Sequence, residues 1–225
     1  MESLFSRIDS KREDLVSFTQ DLVRIPTINP PGEDYTRCAE FLGRRLAKSG
    51  FSLLYERAKD TPGDTDRYPR NNVIARFEGK HSGPCVHFNS HLDVVVPGKG
   101  WSVDPFEGVV RDGKIFGRGT CDMKGFVASA LAAGLNAAKR DLHTPLHLAF
   151  SYDEEIGCIG VRSLVDMLRD APFKPAFCIV GEPTSMQVAV GHKGKMAAKV
   201  TMIGRAGHSA LAPMAVNAIY MAVDF

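Results

Sequence analysis

The chain has 225 residues, of which 44% are hydrophobic and 24% are charged, and its formal net charge is +2. This composition is that of an ordinary globular protein, and so small a charge gives no strong attraction to nucleic acid or to an anionic membrane, so neither is expected as a partner. The five cysteines are odd in number and form no CxxC pair, which excludes a disulfide framework and predicts a reducing, cytoplasmic environment.

The N-terminal part of the sequence predicts two helices followed by a loop. The first residues lack the apolar segment of a signal peptide. Apolar residues at helical spacing predict a helix from about Ser10 to Val23, which ends before the proline-rich segment IPTINPPG. A second predicted helix runs from about Tyr35 to Ser49. The polar, turn-rich stretch AKDTPGDTDRYPRN is interpreted as an exposed loop.

Strands and helices alternate in the middle of the chain. Apolar segments predict strands at Asn72–Phe77, Cys85–Asn89, Leu146–Ser151 and Ala176–Val180, with helices at Lys124–Lys139 and Gly160–Leu168. A glycine-rich segment between the second strand and the first of these helices contains a predicted hairpin at Asp112-Gly113. Apolar strands between helices are typical of a mixed, mostly parallel buried sheet, so we expect an α/β sandwich, a catalytic domain over about residues 1–184.

The pattern changes after Pro183. Alternating side chains from Met196 to Met202 predict a strand with one solvated face, and an amphipathic helix that begins near Val216 has no end signal before Phe225. One strand and one unfinished helix cannot bury a core. We therefore expect residues 185–225 to begin an α+β lid or dimerisation domain, and the 225 residues to be the N-terminal part of a longer protein.

Acidic and histidine side chains stand at the ends of the predicted strands or directly before a predicted helix. They are His91 and Asp93, Asp122, Glu154 and Glu155, and Glu182. Because the carboxyl ends of parallel strands meet at one edge of a sheet, we expect these side chains to lie together. One imidazole and several carboxylates are ligands that a divalent metal prefers, which predicts a metal-activated water and a hydrolase.

Each of these elements also has an ordinary interpretation. An HxD turn, an acidic turn or a turn glutamate can simply be solvated, and Asp122 can be the N-cap of the following helix. The three adjacent carboxylates from Asp153 to Glu155 are the most suggestive element, since their repulsion makes little sense unless a cation is near.

The number of candidate ligands is one smaller than two cations would need. If each zinc takes three protein ligands and one carboxylate bridges, five are required. Four remain once Asp93 is assigned to hold the imidazole and Glu154 to act as the base. His87 lies too far along its strand to supply the fifth, so we expect that ligand from another part of the protein.

The segments HLDVV, GRGTCDMKG, SYDEEIG, GEPTS, GHKGK and GRAGHSA resemble the M20 metallopeptidase family in order and spacing, over essentially the whole chain. The resemblance implies a zinc-peptidase-like fold and a di-zinc amidohydrolase, with Co²⁺ or Mn²⁺ as possible metals, that acts on a small N-acyl amino acid. It also implies a homodimer formed through the lid domain. N-acetylornithine, in arginine biosynthesis, is the first substrate prediction. N-succinyl-diaminopimelate, or a substrate of another M20 aminoacylase or dipeptidase, is the alternative.

The resemblance also implies a role for each matching residue. His91 and Glu182 would bind one zinc, Asp122 would bridge, and Glu155 would bind the other zinc. Glu154 would be the general base.

Two further roles follow from the same resemblance, and a third is suggested by the residue type alone. Asp93 would orient His91, and His208, in GRAGHSA, would stabilise an oxyanion across the dimer. Lys193 is a candidate partner for a substrate carboxylate. A solvated side chain is the alternative for both His208 and Lys193.

Two other classes of function stay open at this point. The first is a non-catalytic protein, either a truncated fragment or a relative that binds metal weakly. The second is a serine hydrolase, which is disfavoured because the sequence contains no GxSxG elbow. Cys121 is interpreted as a small packing residue rather than a nucleophile, because no histidine partner is identifiable.

Overall fold

The computed structural model describes residues 4–58, 61–81, 84–171, 174–194 and 196–225. The chain divides into two compact units, Met1–Met186 and Gln187–Phe225. Each unit is described by itself.

The first unit alternates helices and strands along the chain. Its helices are α1 (Leu4–Asp9), α2 (Arg12–Val23), α3 (Tyr35–Ala47), α4 (Gly125–Ala137) and α5 (Gly160–Asp170). Its strands are β1 (Ser52–Arg57), β2 (Asn71–Phe77), β3 (Cys85–His91), β4 (Val109–Arg111), β5 (Lys114–Phe116), β6 (Leu146–Ser151) and β7 (Pro175–Val180). The predicted helices and strands of this unit are therefore present, with ends that differ by a few residues.

Five strands form one mixed sheet in the order β1-β2-β6-β3-β7. β3 pairs in parallel with both β6 and β7, whereas β2 pairs antiparallel with β1 and β6. Four of the five strands thus point the same way and β2 opposes them, which confirms the predicted mixed, mostly parallel sheet. The strands β4 and β5 form the predicted hairpin separately.

Helices cover both faces of this sheet. On one face, α2, α3 and α4 contribute leucines such as Leu22, Leu42 and Leu131, which pack with Leu148 and Phe150 of the central strand β6. On the other face, α5 packs Leu164 against β2 and β6. Each fully buried side chain of this size stabilises the fold by about 1.5–3 kcal/mol, which fixes the strand ends that position the site.

Helix α1, strand β1 and the burial of Arg70 were not predicted. β1 lies at the sheet edge with mostly exposed side chains, so its sequence carries no regular apolar alternation. The loop before β2 was predicted to be exposed, yet Arg70 within it is only 2% exposed. The reason is that Arg70 forms a buried ion pair with Asp153.

The second unit contains little regular structure. Its helix α6 (Ala218–Asp224) is present as predicted, with the Asn217 side chain accepting a hydrogen bond from the backbone N–H of Ile219. The strand predicted at Met196–Met202 is wrong, because this segment pairs with no other strand in the described part of the chain. Backbone pairing here is limited to an isolated bridge between Arg205 and Val216. In the described ranges, no helix has both the length and the apolarity that a membrane span needs.

The buried face of the sheet contains an imidazole whose charge state depends on folding. His147 on β6 is 1% exposed and lies between Arg76 of β2 and His87 of β3 in the strand register. Burial, with repulsion from Arg76 and His87, lowers the pKa of His147 from 6.5 to about 4. The folded state therefore holds this imidazole neutral over a pH range in which the unfolded chain protonates it.

We expect the free energy of unfolding to fall as the pH is lowered from about 6.5 to 4, by up to about 3 kcal/mol from this group. His147→Leu should make the free energy of unfolding depend less on pH in this range, as measured by urea unfolding at pH 7 and pH 4.5. His81→Leu, at an exposed position, is the control and should keep the wild-type slope. An unchanged slope in His147→Leu would show that other groups cause the acid sensitivity.

Candidate metal centre

The carboxyl ends of the parallel strands bring the predicted site residues together. His91 is the last residue of β3, Glu154 and Glu155 follow β6, and Glu182 follows β7. Asp122 approaches the same edge from a short turn, Thr120–Lys124, which precedes α4. The topology of the sheet thus places four of these side chains at one site, and the turn before α4 adds Asp122.

His91 lies at the centre of this group. Its Nε2 atom is 3.0 Å from Asp122 Oδ1, 3.5 Å from Glu182 Oε1 and 3.9 Å from Glu154 Oε2. The imidazole is 1% exposed, whereas Asp122 and Glu182 are 49% and 39% exposed. The carboxylates therefore line an opening that solvent can enter, with the imidazole at its base.

Among the described residues, two sets of three side chains have ligand atoms close enough to hold one metal ion each. One set is His91, Glu154 and Glu182, and the other is His91, Asp122 and Glu155. Within each set, the ligand atoms lie within 4.8 Å of one another. The imidazole and carboxylate donors suit a divalent cation such as zinc, so the residues fit the metal that the sequence implied.

Asp93 links the imidazole to the acidic turn. The Nδ1 atom of His91 lies 3.0 Å from the backbone oxygen of Asp93 and 3.4 Å from its Oδ1. The same carboxylate accepts hydrogen bonds from the backbone N–H groups of Glu154 and Glu155, at 3.1 and 3.0 Å. Asp93 is fully buried and so holds both sides of the site, whereas the sequence had suggested contact with His91 alone.

Asp122 does not cap the helix that follows it. The residue preceding α4 is Lys124, and it makes no side-chain capping bond. Asp122 has an extended backbone, followed by a cis peptide bond to Met123. Lys124 is buried and donates to the backbone oxygens of Leu22 and Ile25, which fastens the turn to the end of α2 and directs Asp122 toward His91.

The charges of the cluster shift the pKa values of its members. Burial opposes a charged His91, but hydrogen bonds with Asp122 and Asp93 outweigh it and raise the pKa of the imidazole to about 10. The hydrogen bond from His91 lowers the pKa of Asp122. Burial, together with repulsion from Asp122, raises the pKa of Glu155 to about 7 and raises that of Glu182. This excess of carboxylates is the environment that a divalent cation would neutralise.

Asp153 does not belong to the cluster, which corrects the interpretation of three repelling carboxylates. Its carboxylate accepts from Arg70 Nε at 3.1 Å and from the Tyr35 hydroxyl at 2.8 Å. The compensating charge for Asp153 is therefore a buried arginine. No spacing in the sequence identified Arg70, Tyr35 or Asn29 as neighbours of the site, because all three come from loops or helix ends far away along the chain.

His208 and Lys193 lie in the second unit. The Nδ1 atom of His208 accepts a hydrogen bond from the backbone N–H of Ala210 and caps the 3₁₀ turn Ser209–Met214. Both side chains are exposed. The roles assigned to His208 and Lys193 from the sequence stay predictions. Cys121 is also exposed, so its interpretation as a packing residue is wrong.

The fold and the site together define a class, an α/β protein with a candidate two-cation centre at the carboxyl edge of its sheet. Residues 87–223 match the profile of peptidase family M20/M25/M40, and the chain belongs to this family. The resemblance of the motifs is thereby confirmed.

Similar proteins include two kinds of acyl-amino-acid hydrolase. A succinyl-diaminopimelate desuccinylase of Granulibacter bethesdensis is 36% identical over 88% of this chain and 50% of its own length. An acetylornithine deacetylase of Vibrio parahaemolyticus is 38% identical over 67% of this chain and 39% of its own. The chain thus spans about half or less of the length of these relatives.

A solved structure shows the same fold. The dipeptidase Dug1p of Saccharomyces cerevisiae superposes with a TM-score of 0.62 and 23% identity, over 75% of this chain and 38% of that chain.

The pKa shifts predict that metal binding releases protons. At pH 7 the metal-free protein carries a proton on His91 and about half a proton on Glu155, and both must leave before the side chains bind Zn²⁺. We expect release of roughly one to two protons, measured by calorimetry in buffers of different ionisation enthalpy. The number should decrease at pH 9, because Glu155 has already lost its proton there. Binding without proton release at pH 7 would contradict these shifts.

Proposed function

We propose that the chain belongs to a two-metal amidohydrolase that removes the acyl group from an N-acyl diamino acid. The observation that carries this proposal is the approach of three carboxylates to within 3.0–3.9 Å of a single buried imidazole nitrogen, His91 Nε2. A set of this kind at an accessible sheet edge suits metal-assisted hydrolysis better than a structural role, since structural sites are closed.

His91 and Glu182 hold one cation in this proposal, Asp122 bridges, and Glu155 binds the second cation. The Nδ1 atom of His91 is already engaged with Asp93, so its one remaining nitrogen serves one cation. Among the described residues, the second cation then has Asp122 and Glu155 as its proposed ligands, and a further ligand from another part of the protein stays a prediction.

Metal ions bound at such a site lower the pKa of a bound water and polarise the substrate carbonyl. Glu154 is the base in this proposal. It is partly exposed, and its Oε1 atom accepts a hydrogen bond from the Cys158 thiol at 3.2 Å. Glu154 takes a proton from the attacking water and returns it to the leaving amine. Asp93 keeps the His91 ring and the backbone of the acidic turn in place while the charges change.

The relatives support an acylated diamino acid as the substrate. The desuccinylase match extends over 88% of this chain and the deacetylase match over 67%. This favours N-succinyl-diaminopimelate over N-acetylornithine, which was the first prediction from the sequence. Homodimerisation through the second unit, an oxyanion role for His208 and a cytoplasmic location are further parts of the proposal.

The substrate is tested by comparing kcat/KM for N-succinyl-diaminopimelate and N-acetylornithine, with zinc-loaded protein as its gene encodes it. We expect the succinyl compound to be preferred. Preference for the acetyl compound would reinstate the first prediction. Metal binding without hydrolysis of either, or of other N-acyl amino acids and dipeptides, would support the non-catalytic alternative.

Glu154→Gln should reduce kcat by about 10²–10⁴-fold, because it removes the base while preserving the size of the side chain. Zinc content, measured by mass spectrometry, should stay at the wild-type value. Glu155→Gln is the matched comparison and should lose metal as well as activity. Retained turnover in Glu154→Gln would refute the assignment of Glu154 as the base. Loss of zinc would show that Glu154 is a metal ligand, as its proximity to His91 and Glu182 allows.

Asp122→Ala should abolish binding of both metals, because the bridging carboxylate contributes to each site. The zinc content of the purified variant measures this directly. Asp166→Ala, on the exposed surface of α5, is the control and should bind zinc as the wild type does. Unchanged zinc content in Asp122→Ala would show that this residue does not bridge.

A further inference from the structure

A buried polar network extends from the acidic turn of the site to the loop that precedes β2. Arg70 Nε donates to Asp153 Oδ2 at 3.1 Å, and the Tyr35 hydroxyl donates to Asp153 Oδ1 at 2.8 Å. The Arg70 and Asp153 side chains are 2% and 0% exposed. Burial raises the pKa of Tyr35 above its usual range, so its hydroxyl keeps the proton that it donates.

The network continues from Asp153 to Asp93 through one amide group. Asn29 Nδ2 donates to Asp153 Oδ1 at 3.1 Å and to Asp93 Oδ2 at 3.2 Å. Asp93 in turn accepts from the backbone N–H groups of Glu154 and Glu155. The acidic turn is therefore held from two directions, by the side chain of its own first residue and by its backbone.

Arg70 is itself fixed in place, which is what an anchor requires. Its Nη1 atom donates to the backbone oxygen of Tyr68 at 2.8 Å, and its backbone N–H donates to Asp64 at 2.7 Å. Two glycines leave room for the guanidinium. A Cβ atom on Gly32 would lie 2.5 Å from Arg70 Nη1, and one on Gly63 would lie 2.8 Å from Nη2. The guanidinium thus sits between two loops and does not reach the candidate ligands.

We propose that Arg70 is a positioning residue of the metal centre, which acts through Asp153 to hold the turn that presents Glu154 and Glu155 to the metals. This inference rests on the proposed function for its catalytic consequence. Its structural part, the hold of Arg70 on the turn, is independent of metal. Removing the guanidinium leaves the Asp153 charge buried without its cation, so the turn has to move or take up a proton.

The test compares Arg70→Met with the wild type, in the protein as its gene encodes it. In the metal-free state, we expect faster amide exchange in the peptide that spans 153–158 and unchanged exchange in α4. Zinc affinity, titrated with Zn²⁺ alone, should weaken by about 10–100-fold, the usual consequence of losing a residue that supports a ligand. kcat should fall while KM stays near the wild-type value.

Two further variants separate positioning from a general loss of stability. Arg169→Met makes the same change on the exposed surface of α5 and should leave all three measurements unchanged. Arg70→Lys keeps the positive charge and should recover part of the zinc affinity that Arg70→Met loses. Circular dichroism at the assay temperature shows that each variant is folded.

A folded Arg70→Met with wild-type exchange, zinc affinity and kcat would overturn the inference. If Arg70→Met does not fold, Tyr35→Phe removes one hydrogen bond to Asp153 and should shift the same measurements by smaller amounts. No shift in Tyr35→Phe would then refute the network. Wild-type protein that neither binds zinc nor hydrolyses a substrate refutes the proposed function instead, and the exchange measurement still decides the hold of Arg70 on the turn.

Discussion

The buried carboxylate of Asp93 is the interaction on which the arrangement of the site depends. It is fully buried, yet it stands between the end of β3 and the turn after β6, and it binds groups on both. A buried carboxylate is costly unless its oxygens accept hydrogen bonds. Because the same carboxylate contacts His91 and the turn after β6, the orientation of His91 and the relative position of the two strand ends depend on each other. Contact with His91 also lowers the pKa of Asp93, despite its burial, so the carboxylate stays ionised.

The site surrounding Asp93 is electrostatically unfavourable without a cation. Asp122, Glu155 and Glu182 approach one imidazole, and burial together with repulsion between the carboxylates raises the pKa values of Glu155 and Glu182. Hydrogen bonds and packing behind the site hold them together against this repulsion. A metal that binds the folded arrangement and not the unfolded chain would therefore stabilise the fold as well as the site, because the binding free energy is linked to folding.

The sequence predicted those parts of the structure that depend on short-range patterns and on sheet topology. The convergence of His91, Glu155 and Glu182 followed from strands that end at one edge, which needed no knowledge of side-chain geometry. The support of the site was not predictable in the same way. The loop that contains Arg70 has the polar composition of an exposed loop. Asp153 cannot be distinguished by its sequence from the neighbouring acidic residues Glu154 and Glu155. Their pairing is a contact across 83 residues, and no local signal distinguishes it from a solvated alternative.

The two candidate cation positions are expected to differ in affinity, because His91 belongs to both sets but can bind only one cation. His91 donates its Nδ1 proton to Asp93 and has one nitrogen left for a metal. In the proposed arrangement, the remaining nitrogen of His91 belongs to the position that also includes Glu182. If Glu154 acts as the base, a bridging Asp122 would replace it as the third ligand of this position. The set with Asp122 and Glu155 then has carboxylates alone. Zinc accepts carboxylates but favours imidazole among its ligands, so the second position should be the weaker of the two until a further ligand joins it. In the proposed arrangement, the hydrogen bond of His91 Nδ1 to Asp93 would therefore decide which of the two positions fills first.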